Sequence, residues 1–264
     1  MIKAIFFDVD GTLYYNQQNH VLPSTMAALR KLKEKGYLLF LNTNRTYDEV
    51  LPLGSDVLNL LDGMVLLGGS WLKGKDKDIE VPVLDPKESQ KAIDYLEEHH
   101  LLYRWVHSGG HGYLNCNDDH LVGMFENAYT MHPDIKAYEG EPLAAILWYT
   151  LDDEVRDDMR NILTSADHIV MGYPNEIILK GSSKSRGMQK MAESFGLKLD
   201  ECAAFGDGLN DADMLKEAKI GVAMGNGKDN CKAAADYVTE RIENDGLYNA
   251  CLHYGWIERD IHEN

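Results

Sequence analysis

Short apolar runs that end in polar residues recur along the chain, with helical patterns between them. Residues 2–7, 37–41, 64–67, 203–205 and 220–223 are runs of this kind. Such runs are typical of strands that are buried on both faces, and strands that alternate with helices build parallel sheets. The pattern therefore predicts an α/β fold with a Rossmann-like, doubly wound parallel sheet.

The order of predicted strands and helices changes in the middle of the chain. Between residues 84 and 180, paired strands and helices replace the strict alternation, which favours an α+β unit inserted into the sheet domain. We therefore expect a sheet-domain core of residues 1–83 and 181–264 and an inserted domain of residues 84–180. Residues 68–73 are expected to form a loop of the core.

Composition and charge exclude several classes of partner. The chain has 264 residues and a net charge of −17, which repels nucleic acid and anionic membrane surfaces. No apolar run approaches the roughly 18 residues of a membrane span. The four cysteines lie far apart and form no C-x-x-C pair, which favours reduced thiols over a disulfide framework or a zinc site. These features predict a cytoplasmic protein.

An acidic motif follows the first apolar run. Alternation along an extended chain turns Asp8 and Asp10 to the same side, and Gly11 permits a sharp turn beside them. Two carboxylates in one crevice repel each other, so they need a cation or a shared proton. An acidic turn that only caps the next segment is the alternative reading of this motif alone.

Three further motifs follow later apolar runs or open a helix. Asp207 and Asp211 add hard oxygen ligands of the kind that Mg²⁺ prefers. Lys184 stands at the start of a predicted helix, near its positive end. The third motif, after residue 41, supplies a hydroxyl and backbone N–H groups that suit phosphate oxygens, and its residues are Thr43, Asn44 and Arg45. All four motifs fall at the edge of the predicted sheet where open α/β folds bind ligands.

The order of these motifs resembles the haloacid dehalogenase-like phosphatases. The motifs that carry the resemblance are Asp8-x-Asp10-Gly11-Thr12, Thr43-x-Arg45, Lys184 and Gly206-Asp207-Gly208-x-Asn210-Asp211. The long insert, together with Gly181-Ser182-Ser183-Lys184 and Val222-Ala223-Met224-Gly225-Asn226, is similar to the Cof-type subfamily with its large α/β (type 2) cap. Two positions depart from the pattern, since Asn44 and Gly68 stand where the family commonly has Gly and Asn.

The resemblance implies a role for each motif residue. Asp8 would attack phosphorus to form an aspartyl-phosphate, and Asp10 would protonate the leaving alcohol and then activate water. Mg²⁺ would be the cofactor, and its ligands would be Asp8, Asp10 through its backbone carbonyl, Asp207 and Asp211. The phosphoryl group would be bound by Thr43, Asn44, Arg45, Lys184 and Asn210, of which Thr43 and Lys184 also count as catalytic.

Three functions remain open on the sequence. The first is a Mg²⁺-dependent phosphatase that hydrolyses a small phosphorylated metabolite, such as a sugar phosphate or a cofactor phosphate. The second is a phosphotransferase or sugar-phosphate mutase, because a sugar hydroxyl could attack the same intermediate. The third is a phospho-accepting signalling module, against which Asp10 argues because an acid/base beside the nucleophile shortens the life of the phosphoenzyme. The expected assembly is a monomer or a homodimer.

Several other residues have two interpretations. Arg45 could form an ion pair with an acid instead of binding phosphate. Glu176 could contact substrate, although exposed strand glutamates are common. The aromatic residues of the insert, among them Trp105, Trp148 and Tyr149, favour a core or surface role over a recognition site.

Overall fold

The structure, a computed structural model, describes residues 1–170 and 173–259. Its strands in chain order are β1 Ala4–Phe7, β2 Leu38–Asn42, β3 Gly63–Leu66, β4 Trp71–Gly74, β5 Asp78–Glu80, β6 Tyr103–His107, β7 Gly112–Leu114, β8 Asp134–Ile135, β9 Leu143–Tyr149, β10 Ala166–Val170, β11 Pro174–Leu179, β12 Cys202–Gly206, β13 Ile220–Ala223 and β14 Tyr237–Val238. Its α-helices are α1 Pro23–Glu34, α2 Tyr47–Val50, α3 Ser55–Leu58, α4 Pro86–Glu98, α5 Asp119–Tyr129, α6 Asp153–Ile162, α7 Lys184–Ser194, α8 Ala212–Glu217, α9 Asp229–Ala234 and α10 Gly246–His253.

The chain divides into two compact units. The first contains residues 1–44, 53–79 and 183 onward, and the second contains residues 45–52 and 80–182. The sequence placed residues 45–52 in the core, whereas the structure groups them with the second unit. The reason is a set of long-range contacts to β6 and β7 that local sequence does not reveal.

The first unit is built on an eight-stranded sheet with the order β14-β13-β12-β1-β2-β3-β4-β5. The strands from β14 to β3 pair in parallel, and β4 runs antiparallel to β3. Apolar side chains such as Phe6 and Phe40, whose rings stack with centroids 4.7 Å apart, fill its core. Because parallel strands end at the same edge, β1, β2 and β12 bring their carboxyl ends together. The predicted α/β fold class is confirmed.

The second unit has a six-stranded sheet with the order β10-β11-β9-β6-β7-β8. The pairs between β10 and β7 in this order are antiparallel. One face packs against α4 and α6 through a cluster that includes Ile146 and Trp148. On the other face, Tyr149 packs with Phe125 of α5.

Some elements were not predicted from the sequence. The expected loop at residues 68–73 is wrong in its second half, because β4 begins at Trp71 and pairs with β3. The helix α9 and the edge strand β14 were also missed, since each has six residues or fewer and carries no strong periodicity. The sequence pattern also predicts a strand near residues 168–171, and its last residue, 171, lies outside the described residues. Among the helices described, none has the length and apolar character that crossing a membrane requires.

Candidate active site

The carboxyl ends of β1 and β12 carry the first two acidic residues of the site. The parallel register pairs Phe7 with Phe205, and the N–H of Asp8 donates to the carbonyl of Phe205 at 2.9 Å. Asp8 and Asp207 therefore leave adjacent strands at the same level of the sheet. Asp211 is held beside them, because its Oδ2 accepts hydrogen bonds from the N–H groups of Asp207 and Gly208 at 3.0 and 2.8 Å.

Three carboxylates form a compact cluster. One ligand oxygen from each of Asp8, Asp207 and Asp211 lies within 4.8 Å of the other two. Hard carboxylate oxygens at this spacing fit Mg²⁺, which takes oxygen ligands. The side chain of Asp10 lies outside this group, and its Oδ1 accepts a hydrogen bond from Asn16 Nδ2 at 2.6 Å. A role of Asp10 in metal binding through its backbone carbonyl stays a prediction.

Lys184 is the cation of the cluster. It is the first residue of α7, and the Ser183 side chain caps that helix by accepting from the N–H of Arg186. Its Nζ lies 2.5 Å from Oδ1 of Asp8 and 2.6 Å from Oδ1 of Asp211. Asn42, at the end of β2, donates from Nδ2 to the carbonyl of Lys184 at 2.8 Å. This buried asparagine fixes the start of the helix, and sequence reasoning missed it because no motif marks it.

Burial controls the ionisation of these groups. Desolvation, followed by repulsion from Asp211, raises the pKa of Asp8 well above its ordinary value. The same two causes raise the pKa of Asp207 to about 6. Desolvation opposes the charge on Lys184, but Asp8 and Asp211 together raise its pKa. Without a bound metal ion, the three carboxylates face only the one ammonium group of Lys184 within the cluster. This excess of negative charge is what a cation-binding site is expected to have.

Gly11 allows the first acidic loop to approach the second. Its φ of +79° is in the left-handed region, and a Cβ at this position would lie 2.4 Å from Oδ2 of Asp207. Asn226 connects the two loops, since its Nδ2 donates to the carbonyl of Gly11 at 2.7 Å and to Oδ2 of Asp207 at 3.3 Å. Asn226 is the last residue of the motif at residues 222–226, which is part of the resemblance to the Cof-type subfamily. That motif is the sequence signal that could have identified Asn226 as a residue of the site.

Three more of the predicted phosphate ligands, Thr43, Asn44 and Asn210, lie in the first unit. Thr43 is buried at the end of β2, where its N–H donates to the carbonyl of Val65 at 2.9 Å. The next residue, Asn44, accepts at Oδ1 a hydrogen bond from Nδ2 of Asn210 at 3.1 Å. The loop after β2 is thereby connected to the loop that holds Asp211.

Arg45 takes a different position. It belongs to the second unit, where its Nη1 donates to the carbonyl of Glu49 at 2.9 Å and its guanidinium lies over the ring of Tyr129 at 5.0 Å. The structure therefore groups Asp8, Lys184, Asp207 and Asp211 in the first unit and does not include Arg45 among them. Its part in binding phosphate stays a prediction.

The sequence profile of the haloacid dehalogenase-like hydrolases matches residues 5–251. The chain belongs to this family. This haloacid dehalogenase-like hydrolase is 27% identical over 259 residues to the 5-amino-6-(5-phospho-D-ribitylamino)uracil phosphatase YcsE of Bacillus subtilis, with 96% of each chain covered. It is 26% identical to the pyridoxal phosphate phosphatase YbhA of Escherichia coli, over 89% of this chain and 92% of the relative.

Solved structures agree with this family assignment. The haloacid dehalogenase subclass IIB sugar phosphatase BT4131 superposes with a TM-score of 0.82 at 27% identity, over 97% of this chain and 100% of that chain. One longer relative, from Streptococcus pyogenes serotype M6, is 26% identical, and the chain spans 55% of its length. The predicted Cof-type family and the enzyme class, a phosphoric monoester hydrolase, are confirmed.

Proposed function

We propose that this hydrolase is a Mg²⁺-dependent phosphatase that cleaves a small phosphorylated metabolite through an aspartyl-phosphate. The observation that carries the proposal is the position of Lys184 Nζ, 2.5 Å from Asp8 and 2.6 Å from Asp211, beside the carboxylate of Asp207. A phosphate dianion can approach a carboxylate nucleophile only where positive charge offsets the repulsion. Lys184 supplies one such charge at the reacting atoms.

Different residues of the first unit act as nucleophile, as acid and base, and as ligands of the phosphoryl group in this proposal. An oxygen of Asp8 forms a bond to phosphorus while the bond from phosphorus to the leaving oxygen breaks, and Asp10 gives that oxygen a proton. Water then attacks phosphorus as Asp10 takes back a proton, and the bond between Asp8 and phosphorus breaks to release phosphate. Lys184, Thr43 and Asn210 hold the phosphoryl oxygens during both transfers.

The acidic cluster is the metal site in this proposal. Asp8, Asp207 and Asp211 would hold Mg²⁺, together with the backbone carbonyl of Asp10. When bound, the ion would neutralise the carboxylates and withdraw charge from the phosphoryl oxygens. Asn226 and the two N–H groups that donate to Asp211 keep the ligands oriented.

The substrate in this proposal is a phosphorylated sugar, sugar alcohol or cofactor. Relatives named above carry names that specify a phospho-D-ribityl compound, pyridoxal phosphate and a sugar phosphate, all small phosphomonoesters.

The four cysteines are free thiols in the structure, which supports a reducing, cytoplasmic location.

Phosphate release from a panel of such esters, with Mg²⁺ and after exhaustive chelation, tests the proposal. We expect release only with the metal, because the carboxylates alone repel the substrate. Equal activity after chelation would contradict the metal assignment. If the product is an isomerised sugar phosphate and not free phosphate, the reaction is that of a mutase and not hydrolysis.

A further inference from the structure

Asn16 contacts the carboxyl of Asp10, although it belongs to none of the motifs and has no step in the proposed mechanism. It lies six residues after Asp10, in the loop between β1 and α1. Its Nδ2 donates to Oδ1 of Asp10 at 2.6 Å, and its Oδ1 accepts from the N–H of Gly11 at 2.9 Å. Both bonds lie within the first unit. One side-chain amide therefore holds the carboxyl of Asp10 and the peptide group that follows it.

Only one orientation of this amide satisfies both contacts. A backbone N–H donates and does not accept, so the atom that faces Gly11 must be the amide oxygen of Asn16. The amide nitrogen then faces Asp10, whose carboxylate accepts. The distance of 2.6 Å is short for a bond between nitrogen and oxygen, as is typical of a charged acceptor. The pairing is therefore directional, with Asn16 as donor and Asp10 as acceptor.

The backbone of the loop keeps Asn16 in this place. The N–H of Gly11 also donates to the carbonyl of Tyr14 at 3.0 Å, which closes a tight turn before Asn16. After it the chain returns on itself, since the N–H of Tyr15 donates to the carbonyl of His20 at 2.9 Å. Because the backbone on both sides is hydrogen-bonded, only the side chain of Asn16 has to be ordered to reach the acid, and the entropy lost is small.

The bond from Asn16 makes the two oxygens of the Asp10 carboxyl different. A protonated carboxyl has one O–H donor, and its other oxygen is the better acceptor. Because Oδ1 accepts from Asn16, the proton resides on Oδ2. A general acid is effective only where its proton is within hydrogen-bond reach of the leaving oxygen. The direction of this carboxyl is therefore part of what makes it an acid for the reaction.

We propose that Asn16 is a positioning residue for Asp10, which holds Oδ1 and assigns the transfer of the proton to Oδ2. This inference rests on the proposed phosphatase function and adds a residue to its proton transfer. As the bond from phosphorus to the leaving oxygen breaks, its electron pair stays on that oxygen, which takes the proton from Oδ2. The N–H of Asn16 remains bonded to Oδ1 and stabilises the carboxylate that is formed.

Two aryl phosphates that differ in one nitro group separate this role from other effects. Phenol is a weaker acid than p-nitrophenol, so its departure from phenyl phosphate depends more on a proton. The value of kcat/KM reports the first transfer, before water attacks. At saturating Mg²⁺ we expect Asn16→Ala to lower kcat/KM for phenyl phosphate about tenfold, the value of one lost hydrogen bond, and to leave p-nitrophenyl phosphate within about twofold.

Asn16→Asp is the second variant. It keeps an oxygen that accepts from the N–H of Gly11, and so preserves the turn, but it offers no N–H to Asp10 and its carboxylate draws the proton toward Oδ1. We expect the same selective loss on phenyl phosphate. Gln17→Ala is the matched control, because Gln17 is the next exposed amide of the loop and accepts from the hydroxyl of Tyr15 at 3.0 Å. It should leave the ratio between the two esters unchanged.

The two variants of Asn16 decide between positioning and a structural role. Equal losses on both esters, or no loss on either, in variants with an unaltered thermal midpoint would overturn the proposal. A selective loss in Asn16→Ala but not in Asn16→Asp would assign Asn16 to the turn alone and would overturn it as well. If the parent protein releases phosphate from neither ester nor from the metabolite panel, the proposed function itself fails, and this inference fails with it.

Discussion

The ammonium group of Lys184 lies 2.5 Å from Oδ1 of Asp8, and both side chains are buried although 176 residues separate them. The contact is possible because β1 ends, and α7 begins, at the same edge of the sheet. Burial and repulsion from Asp211 raise the pKa of Asp8, and the ammonium of Lys184 opposes that rise in part. Lys184 therefore favours the ionised form of Asp8, which is the form that can attack phosphorus.

Asp8→Asn should abolish turnover and leave the fold intact. The amide has nearly the same shape as the carboxylate, but it cannot form the acyl-phosphate. Steady-state phosphate release and far-ultraviolet circular dichroism measure the two effects. A rate within about tenfold of the parent would remove Asp8 as the nucleophile, since covalent catalysts lose far more than this.

Lys184→Ala should reduce kcat/KM severely, and Lys184→Arg should restore it only in part. The ammonium lies between Asp8 and Asp211, at 2.5 and 2.6 Å, and a planar guanidinium cannot occupy the same buried space. Inhibition by inorganic phosphate reports binding separately from the chemical steps. Full activity in the alanine variant would exclude Lys184 from the phosphate site.

Gly11→Ala should impair metal binding as well as stability. The new Cβ would lie 2.4 Å from Oδ2 of Asp207, and the φ of +79° adds backbone strain. Gly36 is the matched control, because its φ is +86° but no heavy atom of the described residues, apart from its own chain neighbours, lies within 4 Å of an added Cβ. We expect Gly36→Ala to lose only about 1 kcal/mol of stability from strain, without a change in the Mg²⁺ dependence of activity. Equal Mg²⁺ titrations for both variants would refute the steric argument.

Arg104→Met should destabilise the second unit strongly. The buried guanidinium lies 2.7 Å from Glu49 and 3.0 Å from Asp48, and its loss leaves both acids without their cation. Removing one partner of a buried ion pair costs about 3–5 kcal/mol, which thermal unfolding followed by circular dichroism would detect. Arg160→Met is the control, because Arg160 pairs at 2.6 Å with Asp157 on an exposed helix surface. A surface pair of this kind contributes at most about 1 kcal/mol, so similar losses in both variants would contradict the prediction.

Glu176 should make stability depend on pH. Its pKa is about 8 in the folded protein against an ordinary value of 4.5, because it is buried and faces Glu49, with Arg104 only partly offsetting these effects. Between these two values the folded protein keeps a proton that the unfolded chain releases, so this group lowers stability as pH rises. Glu176→Gln lacks the titrating proton and should therefore gain thermal stability relative to the parent between about pH 5 and pH 8. A constant difference across this range would show that the carboxyl is not protonated.

Much of the first unit could be predicted from local sequence. The strands β1, β2, β3, β12 and β13 are apolar runs with polar ends, and the acids that follow two of them identify the sheet edge that carries the cluster. The lysine at the start of α7 was also placed correctly at a helix N-terminus. Edge elements such as β4 and β14 were not predictable, because pairing with a neighbouring strand stabilises them more than their own residue preferences do.

By itself, the sequence determined the order of the motifs and the kind of chemistry that they allow, since carboxylates, a hydroxyl and a lysine have the same reactivity wherever they lie. Only the tertiary structure decided which groups lose contact with water. Glu176 and Arg104 carry no sequence pattern that separates them from surface residues, yet both are buried on one face of a sheet. Burial depends on neighbours that are distant in the chain, such as the Asp48 and Glu49 that meet Arg104 more than fifty residues away. Desolvation by those neighbours, followed by repulsion from Glu49, is what raises the pKa of Glu176.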